Sequence, residues 1–141
     1  MELIVNNKDL LSKKSVPVKF GTDLSFEISQ MNKIMNELGG VGLSAIQVGD
    51  ARRFFIMNTY LIIDIPTVVI NPIIDFYSDG KERLEEGCLS FPNQYKEVSR
   101  SSFIHVKYYN ENWEEQELYL RGLESRVFQH EYDHLDGISI F

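Results

Sequence analysis

The sequence predicts an α+β fold, rich in largely antiparallel strands, with one helix before the sheet and one after it. Three observations predict it. Leu24, Ile28, Met31, Met35 and Leu38 recur at steps of four and three, the one-sided stripe of an amphipathic helix. Short β-branched and aromatic runs follow, separated by turn residues. Near the C-terminus, Leu123, Val127, His130 and His134 again share one helical face.

In chain order, Met1 to Gly21 alternates short apolar groups with Asn, Lys and Ser and reads as an extended arm lying on the domain. Thr22 or Asp23 caps the first helix, and Gly39 and Gly40 end it. Phe54 to Met57 and Thr67 to Asn71 are strands, the second closed by Pro72, and Leu61 to Ile70 reads as core strand material. Ile73 to Tyr77 can pair with a neighbour before a turn at Ser78, Asp79 and Gly80. Glu85 to Pro92 shows neither helical nor strand period. Phe103 to Tyr109 and Trp113 to Leu120 flank Asn110, Glu111 and Asn112 as a hairpin. Gly122 breaks the second of these strands, the last helix runs from about Leu123, and Asp136 and Gly137 end it. Ile138 to Phe141 suit a short docked strand.

The 141 residues fit one domain, residues 1–141, large enough to bury a core without disulfides or a structural metal. An apolar content of 43% and a charged content of 25% are those of a globular chain. A net charge of -7 argues against general affinity for nucleic acid or anionic membrane, so a small or peptide-like substrate is expected. The N-terminus carries Glu2 and Asp9 where a secretion signal needs basic residues, and no apolar run reaches membrane-spanning length. Cys88, the sole cysteine, excludes an internal disulfide and points to a reducing compartment.

The chemistry starts from Gln129 to Gly137, Q-H-E-Y-D-H-L-D-G. Four residues along a helix advance about 40° around the axis and roughly 6 Å along it, so His130 and His134 share a face and can grip one ion. Glu131 stands beside the first of them, close enough to serve a water at that ion without ligating it, which is a hydrolase arrangement. An amphipathic helix with two core histidines has the same spacing. Upstream, Gly40 to Gly49 matches the loose form G-x-G-x-x-A of a dinucleotide-binding turn, but it follows a helix and runs into a strand, the reverse of the order that turn needs. It reads instead as a glycine loop that lets backbone approach a ligand, with Gln47 as a side-chain donor.

A catalytic site of this type usually takes three protein ligands and leaves one position open. Ile140 stands where a metzincin would have its third histidine, and Leu135 to Phe141 contain no glutamate of the thermolysin kind. The third ligand is therefore upstream, where the candidates are Cys88, His105 or one of several carboxylates. The alternation around His105 puts it on the polar, exposed face of a strand, whereas Cys88 offers a thiolate, a strong ligand for a divalent transition metal, behind a permissive glycine.

Three segments together, Gly40-Val-Gly-Leu-Ser-Ala-Ile-Gln47, Glu86-Gly-Cys-Leu-Ser90 and Gln129-His-Glu-Tyr-Asp-His134, resemble the peptide deformylase family in content and order. The resemblance implies that Cys88, His130 and His134 hold one divalent ion, ferrous iron in the cell, with Zn2+, Ni2+ or Co2+ able to substitute. It implies that Glu131 is the general base and acid, and that Gln47 and the backbone N–H of Leu89 stabilise an oxyanion. The substrates implied are N-formylmethionyl peptides emerging from the ribosome, with at most a transient ribosome contact, in a bacterial cytosol or, for a phage-encoded member, that of the infected host. Val41, Gly42, Leu89 and Val127 are the expected substrate-binding residues, the three apolar ones lining a methionine pocket. Ser44 replaces the usual alanine of the first motif, a change expected to be tolerated, and Tyr95 stands where many members carry an arginine. The arm lacks the common proline-rich opening and no further helix follows the metal helix, so the chain resembles short members found on phage genomes as well as in bacteria. Two other classes use the same residues: an HExxH metallopeptidase acting on unformylated peptides, and a non-enzymatic module closed around a four-ligand metal, with His105 as the fourth ligand.

Overall fold

In the computed structural model, which describes residues 1–59 and 62–141, the apolar run at Phe54 to Met57 forms the heart of the sheet. Successive side chains on a strand point to opposite faces, so a run without polar interruptions must be covered on both sides. Phe54 and Ile56 pack with Leu24, Met31 and Met35, whereas Phe55 and Met57 pack with Val127, Phe128 and Leu135. The sheet is thus held between the two long helices that the apolar stripes predicted.

The helices are α1 (Lys8–Leu11), α2 (Ser25–Glu37) and α3 (Gly122–Leu135). The strands are β1 (Gly42–Ser44), β2 (Phe54–Thr59), β3 (Ile62–Tyr77), β4 (Lys81–Cys88), β5 (Phe91–Ser101), β6 (Phe103–Tyr109) and β7 (Glu115–Arg121), with a 3-10 turn at Ala45–Val48 after β1. β1, β2, β3, β6 and β7 form one antiparallel sheet in that order, and β4 pairs with β5 as a separate hairpin.

The N-cap of α2 is Leu24, not Thr22 or Asp23, and carries no side-chain cap; the Asp23 carboxylate just before it accepts from the N–H and hydroxyl of Ser25. At the other end Gly39 adopts φ +66°, and the N–H groups of Gly39 and Gly40 close on the carbonyls of Asn36 and Met35, which satisfies two carbonyls the helix leaves open. The apolar stripe is core at Leu24, Met31 and Met35, while Leu38 is exposed at the rim of a cavity.

Several expectations are corrected. The N-terminal arm contains a helical turn, α1, which buries Leu11. Pro72 does not close its strand: Asn71 takes φ +50° and the register shifts between Ile70 and Ile73, so the proline falls within an irregularity and β3 continues to Tyr77. The Asn71 amide replaces the missing backbone partners by bonding both the N–H and the carbonyl of Val18. Of the core stretch expected from Leu61, that residue lies outside the described residues, and Val68, Val69 and Ile70 are buried as expected. The segment from Glu85 is not irregular but spans the β4–β5 hairpin. β4 is exposed except at Glu86 and Cys88, so no apolar alternation marked it. Ile138 to Phe141 form no strand, although Ile140 and Phe141 pack on the cluster of Leu11, Ile46, Cys88 and Phe91.

Candidate metal centre and active site

Helix α3 presents His130 and His134 on the face expected from their spacing, with ring centroids 5.1 Å apart and planes 73° to one another. Glu86 and Cys88 are two residues apart near the end of β4 and therefore project from the same side of the hairpin, towards α3. Cys88 Sγ lies 3.4 Å from His134 Nε2, and one donor atom from each of Cys88, His130 and His134 falls within 4.8 Å of the others. Among the described residues no other His, Cys, Asp or Glu forms such a group.

His130 Nδ1 donates to Glu86 Oε1 at 3.0 Å, which leaves Nε2 facing the cavity. His134 is almost wholly buried, and its Nε2 is the nitrogen that faces the sulfur. One thiol and two imidazole nitrogens, inward-facing and within a few ångströms of each other, fit a divalent transition metal. Burial disfavours charge on His130, yet Cys88 and Glu86 outweigh it and hold the imidazole up at about 10, so a metal bound here displaces a proton. Burial with His130 nearby holds His134 down at about 3, so this ring is neutral and its nitrogen free to ligate.

Glu86 is itself buried, and burial opposes its charge, but His130 and Arg100 hold the carboxyl down at about 2. Arg100 binds it through Nε and a terminal nitrogen, each at 3.0 Å, and reaches Asp133 at 2.6 Å. Arg126 of α3 also donates to Glu86, and to the carbonyls of Val98 and Glu82, tying the hairpin to the helix. Sequence reasoning missed this network. Its one signal was the two-residue spacing of Glu86 and Cys88, hidden because the buried residue is charged.

Glu131 is 3% exposed, and burial raises its carboxyl above the ordinary value. Its Oε2 lies 4.0 Å from His130 Nε2, beside the donor group without belonging to it. Gln47, expected to carry a donor, is buried rather than solvated. Its Oε1 accepts from the Ser44 N–H at 2.9 Å and its Nε2 donates to Ser90 Oγ at 3.0 Å, 3.6 Å from Cys88 Sγ. The arm supports this corner by donating from Ile4 N to the Gln47 carbonyl and from Asn6 N to the Ser90 carbonyl.

A cavity of about 580 Å³ opens here, and Val41, Gly42, Gln47, Cys88, Leu89, Val127, His130 and Glu131 all line it. Leu3 and Val5 of the arm line it too, a contribution the sequence did not reveal. A Cβ at Gly40 would meet Leu89 Cδ1 at 2.6 Å, so the Leu89 side chain lies directly against bare backbone there. Tyr95 is 65% exposed at the rim, its ring against Gly87. His105 corrects the expectation of an exposed residue: it is buried, with Asp75 at 2.5 Å from Nδ1 and Glu117 at 2.9 Å from Nε2. It takes no part in the metal group.

Comparison with known proteins gives a consistent result. The family described as Polypeptide deformylase matches residues 1–141. The peptide deformylase of Thermotoga maritima is 46% identical over 132 residues, 93% of this chain and 79% of that protein. Its crystal structure superimposes with a TM-score of 0.91 at 44% identity, covering 99% of this chain and 93% of that one. The crystal structure of the enzyme from a Vibrio parahaemolyticus bacteriophage, in complex with actinonin, gives a TM-score of 0.92 at 31% identity, covering 99% of this chain and all of that one.

Proposed function

This chain belongs to the polypeptide deformylase family, and we propose that Cys88, His130 and His134 hold its metal while Glu131 moves the protons of the reaction. The protein is a metal-dependent hydrolase that removes the formyl group from N-formylmethionyl nascent peptides and releases formate. The observation that carries the assignment of residues is the group of one sulfur and two nitrogens within 4.8 Å, beside a buried carboxylate that is not part of it.

A divalent ion held by these three donors would supply Lewis acidity, polarising a carbonyl and making water acidic enough to ionise near neutral pH. Glu131 takes the proton from the attacking water and returns it to the leaving amine. The Gln47 amide and the Leu89 N–H oppose the charge that develops on the formyl oxygen. Val41, Leu89 and Val127 offer apolar surface to the methionine side chain, and Gly42 lets the peptide backbone come close. Glu86 holds His130 with the correct nitrogen inward.

The ion we propose for the cell is ferrous iron, with Zn2+, Ni2+ or Co2+ able to take its place, since a thiolate and two imidazoles suit all of these. Residues 1–141 act as one catalytic domain, a reading supported by the family match along all of them. The setting we propose is the cytosol of a bacterium or of an infected host, where a transient ribosome contact would present the substrate. The lone free cysteine fits a reducing compartment. No helix among the described residues is long and apolar enough to cross a membrane.

The test is formate release from an N-formylmethionyl peptide with and without a chelator. Loss with the chelator and recovery on adding Fe2+ without oxygen are expected. Release that persists after complete metal removal, or cleavage of unformylated peptides at a similar rate, would overturn the reading.

A further inference from the structure

We infer that Ser44 is a positioning residue for proton transfer, its hydroxyl anchoring one oxygen of the Glu131 carboxylate so that the other stays turned to the reacting centre. The inference rests on the reading of Glu131 as the proton carrier.

Gly42 and Ser44 are alternate residues of β1, so both face the side on which α3 lies. A Cβ at Gly42 would sit 2.6 Å from Glu131 Oε2, so bare backbone at this position is what admits the carboxylate. Ser44 Oγ lies 3.0 Å from Glu131 Oε1 and 3.0 Å from the Glu131 carbonyl, across 87 residues of chain. The two carboxylate oxygens therefore have different surroundings. Oε1 shares the one Ser44 hydroxyl proton with the Glu131 carbonyl, whereas Oε2 is the oxygen near His130 Nε2.

The torsion that turns a glutamate carboxylate is broad and roughly two-fold, so packing alone holds it loosely. Ser44 is wholly buried, and there is little water to compete for its hydroxyl. A hydrogen bond to an ionised group in such surroundings is among the stronger ones in a protein. The same residue also orients the Gln47 amide, since its N–H donates to Gln47 Oε1 at 2.9 Å. Removing the Ser44 side chain leaves that backbone contact in place but takes the hydroxyl from the Gln47 N–H and the Glu131 carbonyl as well as from Oε1, which is why the double variant with Glu131→Gln is needed.

The experiment compares Ser44→Ala and Ser44→Thr, each in the native chain and together with Glu131→Gln. Ser44→Ala is expected to lower kcat roughly ten-fold, the scale of one such contact, with KM and bound metal close to the parent and a melting temperature lower by a few degrees from the buried partners it leaves unpaired. Ser44→Thr keeps the hydroxyl and should recover most of the rate. Added to Glu131→Gln, Ser44→Ala should cost less than about two-fold more, because the group it positions is already disabled. In crystals of Ser44→Ala the Glu131 carboxylate should occupy more than one orientation. An unchanged kcat in Ser44→Ala, or a full ten-fold loss on top of Glu131→Gln, overturns the inference. If Glu131→Gln alone retains turnover, the assignment of Glu131 itself fails, a result distinguishable from either of these.

Discussion

His130 Nδ1 donates to Glu86 Oε1 at 3.0 Å across 44 residues of sequence, and this contact decides which nitrogen of the first histidine faces the cavity. Glu86 does so while buried between Arg100 and Arg126. Glu86→Gln would leave two guanidinium groups short of counter-charge and weaken the hold on His130. We expect a stability loss of about 3 kcal/mol, the scale of a broken buried ion pair. Metal retention should fall roughly 10- to 100-fold, as for other supports of metal ligands. Urea unfolding of the metal-free protein and metal content after dialysis check the two effects separately, and a variant equal to the parent in both would show the contact to be incidental.

Cys88→Ser should weaken metal retention sharply with little change of fold, because a hydroxyl is a poor ligand at neutral pH where a thiolate is a good one. Metal analysis after gel filtration reads the outcome. Tight binding in the serine variant would remove Cys88 from the ligand set.

Gly42→Ala places a methyl group 2.6 Å from Glu131 Oε2 and 2.9 Å from its Cγ, with the other oxygen bonded to Ser44. The carboxylate must turn, so kcat should drop at least about ten-fold while stability changes by no more than about 1 to 3 kcal/mol, the usual cost of an added methyl group. A variant with normal kcat per folded molecule would mean that the carboxylate has room to spare.

The tail is tested by removing Ile140 and Phe141. The Phe141 ring packs at a tilt of 59° against Phe91, centroids 5.4 Å apart, in the cluster that also holds Cys88. Both tail residues are only partly buried, so the loss should be about 2 kcal/mol in total, less than two full burials. Metal affinity should fall with it, since Cys88 loses packing. Unchanged melting and metal content would leave the tail without a structural role.

The parts legible in the sequence are those with a strong period. The α2 stripe, the β6–β7 hairpin and the face of α3 bearing His130 and His134 all show one, and the structure has them within a few residues of where the pattern put them. Cys88 was singled out by ligand chemistry, and the structure sets its Sγ 3.4 Å from His134 Nε2. The β4–β5 hairpin had no such pattern, because most of β4 faces solvent and one of the two residues it buries is a glutamate. Asn71 absorbs the irregularity at Pro72 through a positive φ and two side-chain bonds, which no local propensity announces. His105 alternates as a surface residue would, yet Asp75 and Glu117 on neighbouring strands enclose it. In each case the deciding partner lies far away along the chain. The link between Ser44 and Glu131 is of the same kind, since the motif presents Ser44 only as a small residue.

The most direct test of the account is formate release from N-formylmethionyl-alanyl-serine by metal-loaded Glu131→Gln beside the parent chain. The account predicts that the parent releases formate and that the variant keeps its metal and its melting temperature while losing at least about 100-fold in kcat, the scale of general acid–base catalysis. A variant that turns over within a few-fold of the parent, or that loses its metal along with its activity, would contradict the assignment of Glu131 as the group that moves the proton.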